Sequence, residues 1–225
     1  MMTSCSDKAE KLADLNFRIA WLEDAVEESK RVSEQMRNNL GERFKSRTFD
    51  SFDTSLQRDA FEVCKDYAER FSEIKSQNRN SLLLVGSFGT GKTHLASAIA
   101  NHLIDKGVVV KFGTWGSILD QIRDGFDDRV IRGLKTVKLL IIDDYGKDKS
   151  TEWNDAILFE VINSRYEANL PTVITTNLSG RDLMERVGQA VYSRMSETFR
   201  GVKMDGEDFR KRGTNGQKHN QERSE

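Results

Sequence analysis

The chain has 225 residues, and Lys+Arg 35 against Asp+Glu 36 gives a formal net charge of -1, so any nucleic-acid surface must be a local patch. The longest apolar runs, Leu82–Val85 and Leu139–Ile142, are of buried-strand length, far short of the roughly 18 residues a membrane span needs, and the opening residues hold no secretory apolar stretch. Cys5 and Cys64 lie far apart and His94, His102 and His219 are scattered, which excludes a disulfide framework and a zinc site and predicts a reduced, cytoplasmic protein without membrane contact.

Residues 7–47 hold nine basic and nine acidic residues, no proline and a single glycine, Gly41. Leu12, Leu15, Ile19, Leu22, Val26, Ser29, Ser33, Met36 and Leu40 follow a 3-4-3-4 spacing, so this segment predicts a helix with a narrow, coiled-coil-like seam. Two readings stand: the helix packs on its own domain, or it docks a partner or a second copy, and its length favours docking. The two serines weaken the seam and mark a bend or a polar register point. Gly41 ends the helix, Arg47–Asp53 reads as a linker, and Leu56–Ile74 is again amphipathic helix.

From Ser81 the pattern changes. Strands are predicted at Leu82–Val85, Val108–Phe112, Val137–Ile142 and Thr172–Thr175, with helices between them, which gives an α/β fold with a parallel sheet covered on both faces. Residues 211–225 are polar and read as a disordered tail.

The strongest signal is Gly86-Ser87-Phe88-Gly89-Thr90-Gly91-Lys92-Thr93, a GxxxxGK[ST] motif between a strand and the helix beginning at His94. Glycines let successive N–H groups turn toward phosphate oxygens, and the helix adds its positive end. Lys92 then reaches the β- and γ-phosphates, and the Thr93 hydroxyl is a ligand for Mg²⁺, so ATP with Mg²⁺ is the expected occupant. Asp143 and Asp144 end a strand of four apolar residues, 51 positions after Lys92. Asp143 would hold Mg²⁺ through water and Asp144 would act as general base, the alternative being a plain turn. An aspartate is one methylene shorter than a glutamate in that role, which predicts slow hydrolysis. Asn177 ends the strand from Pro171, where its amide would contact the lytic water and γ-phosphate, or it, or Ser179, caps the next helix.

These residues resemble the AAA+ ATPases of the DnaC/DnaI helicase-loader type. The resemblance rests on GSFGTGKTHLA (Gly86–Ala96), LLIIDDYG (Leu139–Gly146), NSRYEANLPTVITTN (Asn163–Asn177) and VYSRM (Val191–Met195), and covers about residues 48–210. It implies a five-stranded core and Asn177 as the sensor residue. It also makes Arg194 an arginine finger that completes a neighbouring subunit's site, so that hydrolysis is stimulated by homo-oligomeric assembly in ATP. Arg210 would approach the nucleotide, and Phe49 or Phe52 would either contact adenine or staple the core. Single-stranded DNA would run past Lys111, Arg123, Arg129, Arg132, Lys135 or Lys138, unless these are merely solvated. Trp115 reads equally as a stacking or a core residue. Residues 1–47 would bind a hexameric, DnaB-like replicative helicase, and the family's zinc-binding N-terminal domain is beyond a chain with two cysteines. Two alternatives remain: an IstB-type ATPase assisting a transposase on DNA, and an ATP-holding module that does not hydrolyse.

Overall fold

A computed structural model describes residues 5–55, 57–125, 128–206 and 209. Helix α1 (Cys5–Leu40) and the short α2 (Glu42–Lys45) meet at Gly41, whose φ of 80° favours glycine. The single helix expected over Leu56–Ile74 is two, α3 (Arg58–Glu69) and α4 (Phe71–Ile74), because Arg70 leaves helical geometry at φ -100°, ψ 19°. The core then alternates as expected: β1 (Ser81–Val85), α5 (Lys92–Asp105), β2 (Val110–Thr114), α6 (Trp115–Gly125), α7 (Asp128–Thr136), β3 (Leu139–Tyr145), α8 (Glu152–Glu167), β4 (Thr172–Thr176), α9 (Gly180–Val187), α10 (Gln189–Thr198) and β5 (Phe199–Lys203).

The five strands form one parallel sheet in the order β2-β3-β4-β1-β5. Two strands start later than the apolar runs suggest. Val108 is still tied to the end of α5 through its N–H to the Leu103 carbonyl (2.9 Å), and Val137 donates likewise to Gly133 (3.1 Å) in α7. The sheet's fifth strand, Phe199–Lys203, has only Phe199 and Val202 buried, so its composition carries no strand signal.

One apolar layer joins Leu82, Leu84, Leu95, Ile99, Leu103 and Ile141 on the α3/α5 side of the sheet. The other gathers Leu140, Ile142, Leu158, Val161, Ile174 and Met195 under α6–α10. Trp115 belongs to this second layer, 1% exposed and edge-on to Tyr145, which gives it the core role. The last turns of α1 join the first layer: Leu40 is buried, Met36 half-buried, and the Ser33 hydroxyl donates to the Ile104 carbonyl (3.0 Å) beside an Arg37–Asp105 ion pair. Farther out, Leu12, Leu15, Ile19, Leu22 and Val26 are exposed. The polar seam position thus marks where the helix meets the core. Residues 211–225 lie outside the described residues, and among those described no helix is long and apolar enough to cross a membrane.

Candidate nucleotide site

Strand order decides where the site forms. With β4 between β1 and β3, the carboxyl ends of these strands bring the Gly86–Thr93 loop, the Asp143–Asp144 pair and Asn177 together, the place where open α/β sheets bind ligands. The loop is built tightly. A Cβ on Gly86 would lie 1.9 Å from the Met204 carbonyl oxygen, and one on Gly91 (φ 92°) would lie 2.7 Å from the Phe52 ring. Inside the turn, Lys92 Nζ donates to the carbonyls of Gly86 (2.9 Å) and Ser87 (2.7 Å), and the Thr90 hydroxyl closes onto the Ser87 carbonyl (3.0 Å). The ammonium therefore sits at the mouth of the loop, where phosphate oxygens would take over its donors.

Asp143 is 1% exposed. Its Oδ1 accepts from the hydroxyls of Thr175 (2.6 Å) and Thr93 (3.0 Å). Burial pushes its carboxyl above the ordinary carboxylate range; the Thr175 bond opposes that rise, and the neighbouring Asp144 charge adds to it. A buried carboxylate beside the Thr93 hydroxyl is a hard oxygen donor set that fits Mg²⁺. Asp144 points elsewhere. The β3–β4 register slips between Ile142 and Tyr145, and Asp144 takes a φ of 55°, with its N–H held by Thr175 Oγ1 (2.9 Å). A bulge at a strand end re-aims a side chain in this way. The Asp144 carboxylate meets Lys147 Nζ at 2.6 Å, and that ammonium also lies 5.7 Å over the Phe88 ring.

The resulting cleft of about 210 Å³ is lined by Arg47, Phe88, Gly89, Thr90, Gly91, Lys92, Thr93, His94, Asp144, Lys147, Asn177 and Phe209. Ser179 is the N-cap of α9, accepting from the Asp182 N–H, so capping does not occupy Asn177. His94 Nε2 lies 2.9 Å from the Thr48 carbonyl, and since a carbonyl only accepts, that nitrogen carries the proton. Burial lowers its pKa and the bond to Thr48 opposes the fall.

Three lining residues escaped the sequence reading. Arg47 comes from the linker, Lys147 from the turn after β3, and the Phe209 N–H donates to the Gly89 carbonyl (3.1 Å). Their only signal is adjacency to motif residues. Phe52 and Phe49 are staples: Phe52 stacks on Phe61 and underlies Gly91, and Phe49 packs edge-on to Phe61 and His102, and neither lines the cleft. Arg210 lies outside the described residues.

Arg194 is not in its own chain's cleft. It sits on α10 with its guanidinium 5.6 Å from each of the Phe159 and Tyr166 rings, Nη1 donating to the Ala190 carbonyl (2.9 Å) and Nε buried without a partner among the described residues. The six basic candidates for DNA contact divide. Arg129 and Arg132 are exposed on α7, Lys135 pairs with Glu160, and Arg123 lies over Trp153. Lys111 and Lys138 lie at the amino ends of β2 and β3, away from the cleft.

With this geometry in hand, the relatives are informative. A family profile described as IstB-like ATP binding protein matches residues 6–216. A replicative helicase loader DnaC of Buchnera aphidicola subsp. Acyrthosiphon pisum is 28% identical over 185 residues, 77% of this chain and 74% of that protein. The Bacillus subtilis protein YqaM is 29% identical over 175 residues, 72% of this chain but 56% of its own length, so the chain spans little more than half of that relative. The crystal structure of the DnaC helicase loader superposes with a TM-score of 0.65 at 24% identity, over 73% of this chain and 99% of that one, and shares its AAA+ fold. Motif, cleft and match over nearly the whole length agree: the chain belongs to the family of IstB-like ATP-binding proteins.

Proposed function

We propose that the chain is an ATP-dependent loader. Its N-terminal helix binds a hexameric replicative helicase, its core assembles in ATP and delivers that helicase onto single-stranded DNA, and hydrolysis releases it. One observation carries this reading: α5 holds the phosphate-binding loop at its start and the packed turns of α1 near its end, so nucleotide and docking helix share one rigid element. The DnaC relative supports the assignment to helicase loading.

In this mechanism Lys92 and the loop N–H groups neutralise and orient the β- and γ-phosphates, and Thr93 and Asp143 would hold Mg²⁺. The metal, when bound, spreads charge off the phosphate oxygens. Asp144 accepts the proton of the attacking water, and Asn177 orients that water. Arg194 of an adjacent copy would complete the site by meeting charge that develops on the transferred group. Lys92→Ala is expected to lower hydrolysis by about 100-fold or more, measured as phosphate release. Unchanged release would refute the site, and release undetectable in wild type at every concentration would favour a non-hydrolysing module.

A second reading, a transposase-assisting ATPase, is favoured by the IstB-like description of the matching family. Binding assays separate the two: ATP-dependent retention on single strands together with helicase capture supports the loader, whereas retention on duplex DNA without helicase capture supports the alternative.

A further inference from the structure

Leu12, Leu15, Ile19, Leu22 and Val26 form one seam on the projecting part of α1, each 45–58% exposed. The seam spans about 21 Å. Residues 5–28 around it carry seven acidic groups against three basic ones, a net charge of -4 within a chain whose total is only -1. Positive charge collects elsewhere. At the amino ends of β2 and β3 two hollows of about 770 and 750 Å³ share Val109 and Lys138, and so adjoin as one furrow there. Its floor is apolar (Phe112, Phe71, Leu170), and Lys75, Lys106, Lys111 and Lys138 line it against a single carboxylate, Glu69. Lys111 is half-buried with no acidic partner among the described residues, and burial lowers its pKa, so a carboxylate brought beside it would favour its charged form.

An acidic helix with an apolar seam matches a lysine-lined apolar furrow, the geometry of helix-in-groove recognition. The chain's own α1 cannot supply it, because α1 is unbroken from Cys5 to Leu40 and its last turn already forms one wall of the furrow. Pairing of two seams as a coiled coil would bring two helices of charge -4 together, whereas the furrow offers opposite charge. We infer that the projecting half of α1 from one copy lies in the Lys111–Lys138 furrow of a second copy, with its seam on the furrow floor and its carboxylates against the lysines. Seam and furrow are unlike patches, so the contact closes as a reciprocal pair or runs on head to tail. It needs no nucleotide, and it covers the docking helix until a tighter partner displaces the furrow.

Sedimentation of the full chain without nucleotide or helicase tests this. Association that weakens with added salt is expected, and Lys111→Glu with Lys138→Glu is expected to weaken it by about 10-fold or more. Adding Glu23→Lys and Glu27→Lys to that variant should restore it. A chain monomeric at every concentration, or an association that the lysine changes leave untouched, overturns the inference. Should the variants fail to fold, a photo-crosslinking residue in place of Leu22 in the otherwise unaltered chain decides it. Cross-links to residues 106–112 or 136–138 of another copy support the furrow, and cross-links between two copies of residue 22 overturn it. Because no helicase is present, a negative result here leaves the loader reading intact.

Discussion

Arg165 shows how the residues that build the fold differ from those that do chemistry. It stands in the Asn163–Asn177 block that carries the family resemblance, yet it is 1% exposed and far from the cleft. Its guanidinium donates to the carbonyls of Leu134 (2.8 Å), Val137 (3.0 Å) and Pro171 (2.6 Å) and to Thr172 Oγ1 (2.8 Å), tying the end of α7 to the start of β4. Burial lowers its pKa to about 10. Four acceptors meet it, none of them a carboxylate. Arg165→Met would leave several buried carbonyls unpaired, and a loss of about 3 kcal/mol in urea unfolding is expected. His102 makes a different point. Burial, then Lys106, lowers its pKa below the ordinary 6.5, and Glu69 only partly opposes them. The unfolded chain therefore binds the proton more tightly, and stability falls as pH drops below about 6.5 and levels off above it. His102→Gln should flatten that slope, measured by urea midpoints at about pH 5 and pH 8.

Among the elements, the phosphate-binding loop and β3 were legible because their chemistry is local: glycines at fixed offsets, a lysine and hydroxyl in register, and an apolar strand ending in two carboxylates. Other features depend on what the chain meets in space. The fifth strand was implied only by resemblance, and its place was hidden because Arg200, Gly201 and Lys203 face solvent. Lys147 enters the cleft through a turn whose direction the Asp144 bulge sets, and no pattern announces a bulge. Helix α1 divides in two: its last turns pack on the core, as the first reading expected, and the seam nearer its start is left exposed. Removing residues 1–28 should accordingly leave the unfolding midpoint unchanged. Removing residues 1–40 strips Leu40, Met36 and the Ser33 bond from α5, with an expected loss of about 3 kcal/mol. Equal effects of the two truncations would refute this division of the helix.

For the whole molecule, the distance of Arg194 from its own cleft carries the prediction. If the guanidinium serves a neighbour, Arg194→Ala keeps nucleotide binding and loses roughly 1,000-fold in hydrolysis. Mixing it with Lys92→Ala, inactive for a different reason, should then recover part of the activity, since a Lys92-bearing copy can sit beside an Arg194-bearing one. Phosphate release from the mixture that equals the sum of the separate variants would show that each copy works alone. The join between α1 and α5 has a mechanical consequence. Helix α1 has 36 residues and is about 54 Å long. Because its base is pinned to the helix that starts at Lys92, a tilt of about 5° there sweeps its far tip through about 5 Å. A rearrangement too small to notice around a phosphate becomes, at the end of this lever, a stroke as large as one helical turn.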